Sequence, residues 1–518
     1  MYGGAMIRFK MIALLAAVGA GLLVQPVFAH GFGERYDLPV PLHYFMIGGA
    51  AAVILSFVLI GAVARGEVKH FDYPRLDLLR YSWVRVAVSR PALFPVKVLS
   101  VFLLGLVVAA GLFGDTRPVD NFAPTFVWVI WWVGMGFFVA LFGNLWALVN
   151  PWKILYGWAE ALYERIWPGR DMGMNWEYPL NLGVWPAVAL FFAFAWAENA
   201  FGESADPRRL AAMAISYSAI TLGGMLIFGK HQWLSRGEAF SVVFGYLSRF
   251  SITEIRVNEP EVCRECNVSC EGEDGRCVDC YECWEYSQHR EFNLRPLAVG
   301  LSNPGRVTGD VMAMVLLILA TVTFDGFGAT PEWLEVQSYF IEKFPDLTHE
   351  ALNGLTIANT LGLIGVPATF AAFYLSFAYL MHRSVGRRNG TFTLAKAFVF
   401  SLIPIALAYN FAHFLSFLLI QGQQIIPLVS DPFGADWDLF GTADYVIDIG
   451  IINARFVWFF SVAVIVAGHV IAVYLAHIRA VQLFTIRSLV VKSQLPMLGL
   501  MVLYTVVSLW IVSRPIVE

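Results

Sequence analysis

Ten stretches of this chain, approximately 44–64, 92–113, 125–149, 183–201, 210–229, 309–329, 354–380, 394–421, 455–478 and 495–513, are apolar for long enough to cross a bilayer. At 1.5 Å per residue, about 20 residues span the ~30 Å of hydrocarbon. Lipid offers backbone N–H and C=O groups no partners, so such runs must satisfy their own hydrogen bonds, and continuous apolar runs of this length do so as helices. The expected class is therefore all-α, a polytopic membrane protein of about ten transmembrane helices. Composition agrees. Of 518 residues, 58% are hydrophobic and 14% charged, whereas a soluble domain carries about 25% charged residues. A single globular core stops growing near ~250–300 residues, so the apolar excess calls for a lipid bilayer around it. The net charge of −4 supplies no basic surface for nucleic acid.

The N-terminus has the order of a secretory signal peptide over residues 1–29. Basic Arg8 and Lys10 precede an apolar run from Met11 to Leu23, and Val27 and Ala29 are small residues at the cleavage positions. An uncleaved first helix is the competing reading. Cleavage after Ala29 makes His30 the first residue, where its α-amino group and imidazole together offer a chelate for copper or zinc. The plainer reading is a histidine that happens to follow the cleavage site. With the mature N-terminus outside, 24 Lys and Arg fall in the inner connections and 7 in the outer segments, the bias that sets orientation. Both ends of the mature chain are then periplasmic, in an inner (cytoplasmic) membrane. The chain divides into a first membrane half, 30–229, a cytoplasmic connection, 230–308, and a second half, 309–518. Five helices per half invert one half relative to the other, as in inverted-repeat transporters.

All six cysteines lie in that connection, at Cys263, Cys266, Cys270, Cys277, Cys280 and Cys283. Thiols stay reduced on the cytoplasmic side, so 263–283 reads as a metal-binding segment in preference to a disulfide framework. The C-x2-C pairs Cys263/Cys266 and Cys280/Cys283 suit a tetrahedral zinc. Cys277, Cys280 and Cys283 also repeat the C-x2-C-x2-C run of bacterial iron–sulfur proteins, but Ser287 and Gln288 stand where a fourth Cys and a Pro would follow. A four-thiolate zinc is structural, because it leaves no open position.

The ionisable residues within the spans are the other candidates. Tyr409, Asn410 and His413 share one turn of the eighth span, and His469 lies in the ninth. Glu198 closes the fourth span and Asp325 the sixth, both at the outer end. Such groups are expensive in lipid and usually face a cavity or one another. An Asp/Glu/His set can hold a divalent metal and activate its water. The bland readings are solvation of Glu198 and Asp325 near the headgroups, and interhelical hydrogen bonding by the histidines.

HGFGERYDLPVPL (30–42), TFDGFGATPEW (323–333), YNFAHFLSFLLIQGQ (409–423), SDPFGADWDLFGTAD (430–444), AGHVIAVYLAHIRA (467–480) and QLPMLGLMVLYTV (494–506) resemble a group of bacterial integral membrane proteins identified as fenitrothion hydrolases. The resemblance spans nearly the whole mature chain and implies cleavage of organophosphate or phosphorothioate triesters, with a hydrophobic small molecule as substrate. The six-cysteine insert is foreign to that pattern. On chemical grounds the hydrolytic site would comprise Asp325, His413 and His469 around a metal, Glu198 as base and Tyr409 as donor. The alternatives are a five-plus-five transporter or metal-handling protein, and an iron–sulfur redox protein. The charge bias makes one expectation sharp: a reporter fused after Glu518 should be active only when exported, as measured by paired periplasmic and cytoplasmic reporters.

Overall fold

The computed structural model describes residues 40–63, 73–263, 277–303, 305, 307–345, 352–386 and 389–514, and the paired backbone of 29–30 with 35–36 and of 348–349 with 352–353. The signal segment, the side chains of His30 and Cys263, and all of Cys266 and Cys270 lie outside the described residues. Among the described residues ten helices are long and apolar enough to cross a membrane: Leu42–Ala62, Arg90–Phe113, Phe122–Phe142, Leu180–Asn199, Pro207–Phe228, Gly309–Gly328, Gly354–Ser384, Thr391–Ser430, Ala454–Leu483 and Arg487–Val512. These are the ten spans read from the sequence, numbered here in that order, and the chain is an all-α multi-pass membrane protein. The sixth and eighth spans form the centre. Their apolar windows are 67% and 72% buried inside the protein, against 17% for the first and second.

Three local features depart from ten plain helices. The third span ends at Phe142, short of the expected 149, because Gly143 takes a φ of +133°, which only glycine adopts without strain. A side chain there would also collide with Thr253. Within that span Thr125–Gly134 winds as a π-helix, a form that is rare and tends to mark functional segments. The third feature is the short helix Ala239–Leu247. Its residues Ala239, Phe240, Val242, Val243, Phe244 and Leu247 are all buried, and it packs against the third, fourth and eighth spans. The sequence reading placed this stretch in the cytoplasmic connection. Nine residues cannot cross a bilayer, but they can enter the bundle from one side.

Glu238 caps the inserted helix, accepting from the backbone N–H of Phe240 (3.1 Å) and Ser241 (2.7 Å). Its carboxylate is fully buried and also receives the Tyr217 hydroxyl, the Trp146 indole (3.4 Å) and the Asn150 amide (3.2 Å). Caps of this kind contribute about 1 kcal/mol. Here the cap also satisfies a charge that would otherwise be orphaned.

The remainder of the connection is a small lobe built on a four-stranded antiparallel sheet in the order 76–77, 290–294, 253–257, 277–278. One face covers Ile255, Val257, Cys277, Cys280, Cys283 and Trp284. Glu254 is its polar core. It accepts from Tyr73 (2.5 Å), Arg256 (2.6 Å) and Arg295 (3.1 Å). Arg295 also donates to the carbonyls of Ser248 (3.1 Å), Arg249 (3.3 Å) and Ser251 (3.2 Å), which end the inserted helix. One guanidinium therefore ties the lobe to the bundle.

Burial opposes ionisation of Glu254, but Arg295, the Tyr73 hydroxyl and Arg256 outweigh it and hold the carboxyl below its ordinary value. Its contribution to stability is therefore complete above the ordinary carboxylate pKa of about 4.3 and is lost as pH falls through the lowered folded-state value. Arg295→Ala leaves Glu254 buried with less counter-charge and should destabilise the lobe by about 3–5 kcal/mol. Limited proteolysis within 253–295 at neutral pH checks this, and cleavage no faster than in wild type would refute it.

Candidate functional site

Asp325 lies in the last turn of the sixth span, where the helix dipole presents its negative end and a carboxylate gains nothing from its own helix. The partner comes from the eighth span. His413 Nε2 and Asp325 Oδ2 are 2.7 Å apart, a hydrogen bond between imidazole and carboxyl groups. Both side chains are mostly buried, with 16% and 25% exposed. Glu198, in the last turn of the fourth span, joins them electrostatically, with the Trp132 indole beside its carboxylate.

Glu198, Asp325 and Asn410 line one cavity among the fourth, sixth and eighth spans. Trp132 from the π-helical segment, Phe191 and Phe414 supply aromatic wall, and Val243 and Leu247 of the inserted helix complete it. Its volume is about 40 Å³. A water needs roughly 10–15 Å³ on this measure, so the cavity holds on the order of three waters. Drug-sized ligands occupy pockets of about 300–1,000 Å³.

Two of the expected catalytic residues are elsewhere. Tyr409 stacks on His413, with centroids 5.9 Å apart, but its buried hydroxyl points at Gly326 and Ile511 and has no hydrogen-bond partner. His469 lies deeper in the ninth span, where its Nδ1 meets the Ile465 carbonyl of its own helix at 2.8 Å. Among the described residues no three His, Cys, Asp or Glu side chains are grouped to hold a metal. The expected metal set of Asp325, His413 and His469 is thus not assembled. Helix rise alone separates His469 from Asp325 by most of a half-bilayer.

Sequence reasoning missed Trp132 and the inserted helix. Nothing local distinguishes Trp132 from its neighbours. The helix has a signal, an acidic cap (Glu238) before an apolar run, but the run is half the length of a span.

In the lobe, the Cys280 and Cys283 sulfurs are buried and 3.4 Å apart. Two thiolates on a tetrahedral ion with ~2.3 Å bonds would stand about 3.8 Å apart. Cys283 is disulfide-bonded, contrary to the expectation that all six cysteines remain thiolates. Cys277 and Cys280 are thiols, so the disulfide of Cys283 is not to its neighbour across the turn.

Two outcomes are expected. Protein purified under reducing conditions should carry zinc that is lost in Cys280→Ser/Cys283→Ser, as measured by elemental analysis. Gly326→Ala would drive a methyl group into the Tyr409 hydroxyl and should cost about 1–3 kcal/mol, read as a lower Tm. No protein-family model, no curated protein and no solved structure matches the chain.

Proposed function

We propose that this protein moves protons across the membrane, as an ion-coupled transporter whose proton-binding site is Asp325, His413 and Glu198. The observation that carries this reading is the pairing of His413 with Asp325 at 2.7 Å, where Asp325 and Glu198 line a cavity of about 40 Å³ in the membrane bundle. Asp, Glu and His sets of this kind within spans serve as proton relays in pumps and transporters. Two carboxyl groups lining a cavity with room for a few waters, one of them paired with an imidazole, can take up and release a proton with little movement of heavy atoms. On this reading the bacterial inner membrane holds the chain with both ends outside. The fourth and sixth spans then present Glu198 and Asp325 at the periplasmic mouth.

The hydrolase implied by the resemblance needs room for an aryl phosphotriester and an electrophile to polarise it. The cavity has room for waters, and the ligand set for a metal is not assembled.

The test uses liposomes containing the full chain and an internal pH dye, with an inward-negative potassium diffusion potential. Wild type should acidify the lumen faster than protein-free vesicles, and Asp325→Asn and His413→Ala should slow this by roughly tenfold or more. Equal rates for wild type and Asp325→Asn would overturn the reading. So would metal-dependent turnover of a nitrophenyl phosphotriester without proton flux, which would restore the hydrolase.

A further inference from the structure

Two histidines of the ninth span take no part in the outer site. His469 is 1% exposed and His477 5%. In each ring Nδ1 meets an oxygen that can only accept: the Ile465 carbonyl at 2.8 Å, and Gln494 Oε1 at 3.2 Å. The amide nitrogen of Gln494 is committed to the Val490 carbonyl (2.8 Å), which fixes the orientation of that side chain. Nδ1 therefore carries the proton in both rings, and Nε2 presents a bare lone pair. Among the described residues neither Nε2 has a hydrogen-bond partner.

Hydrogen-bond glue between helices explains only part of this. His477 does bond across to the tenth span. His469 fastens nothing, since its bond is to its own helix, so a buried polar ring at that position has no structural return.

Two contacts fix the register against the eighth span. The Ser461 hydroxyl donates to the Ala412 carbonyl at 3.2 Å, and Gly468 packs on Pro404 and Ala408. Ser461 is thus level with the His413 turn. His469, eight residues on, lies about 12 Å deeper, and His477 about 12 Å beyond that. Tyr409 stands one turn below His413, with its buried hydroxyl also lacking a partner.

We infer that Tyr409, His469 and His477 form the inner limb of a proton path, joining the Asp325–His413 site to the Arg479 end of the ninth span, with water bridging the gaps. This rests on the proton-moving reading above. Each step forms one bond and breaks one. A hydronium O–H breaks as Nε2–H forms, leaving water and a doubly protonated ring. Nε2–H then breaks toward the next water, which becomes hydronium, and Nδ1–H stays on its accepting oxygen throughout. The Tyr409 hydroxyl gives its proton onward and is reprotonated from behind.

The experiment is the same liposome assay with His469→Gln, His477→Gln and His469→Ala. Each Gln variant should elute as wild type yet pass protons roughly tenfold more slowly or worse, and added imidazole should restore flux to His469→Ala. If both Gln variants conduct within about twofold of wild type while Asp325→Asn is silent, the path is wrong and the outer site stands. A His469→Ala variant that elutes normally, loses flux and is not rescued by imidazole would mark His469 as structural and overturn its place in the path. Wild-type flux in Asp325→Asn would remove the proton reading itself.

Discussion

A peptide group in hydrocarbon has no water to bond to, and leaving it unpaired costs several kcal/mol. The rest of the structure depends on that constraint. It makes each apolar run of about 20 residues a helix, and it decides how the exceptions are built. The inserted helix Ala239–Leu247 is too short to span, so its first N–H groups end inside protein, where the Glu238 carboxylate meets two of them. Its far end is closed from the lobe, by the Arg295 guanidinium on the carbonyls of Ser248, Arg249 and Ser251. Irregular backbone is tolerated at this depth because protein covers it on all sides.

The same economy governs the charges. Asp325 and Glu198 both sit at helix C-termini, the end where a carboxylate has least support from its helix. Asp325 is met by an imidazole from another span. Glu198 faces an indole and the cavity. The sixth and eighth spans, the most buried of the ten, are therefore also the ones that bring the titratable pair together. Their central place leaves them little lipid contact, and polar side chains on them face protein or the cavity. The lipid-facing first and second spans carry no such cluster.

The lobe and the cavity are joined by a short chain of contacts. Asp279, beside Cys280, receives Arg295 at 3.2 Å, and Arg295 holds the end of the inserted helix whose Val243 and Leu247 line the cavity. Through Glu285 the lobe also meets Lys153, at 3.2 Å, on the amphipathic helix Pro151–Ile166. The sheet is thus fixed to the helix bundle, held by buried ion pairs whose loss would leave charge uncompensated.

By itself the sequence determined the number, order and approximate positions of the ten spans. Each span is a local property, a run of apolar residues whose backbone has one way to be satisfied. It also marked Glu198, Asp325 and His413 as costly residues in need of partners. Even the separation of His469 from Asp325 was legible, as helix rise. The fold missed in the sequence is that of 239–247, because its apolar run is too short to stand apart from a loop, and its burial depends on neighbours far along the chain. Which residues meet was decided by tertiary structure alone. The rotation and tilt of one helix against another turn His413 toward Asp325, Tyr409 toward Gly326 and Trp132 toward Glu198. Those angles come from packing across five or more helices, which no stretch of sequence contains.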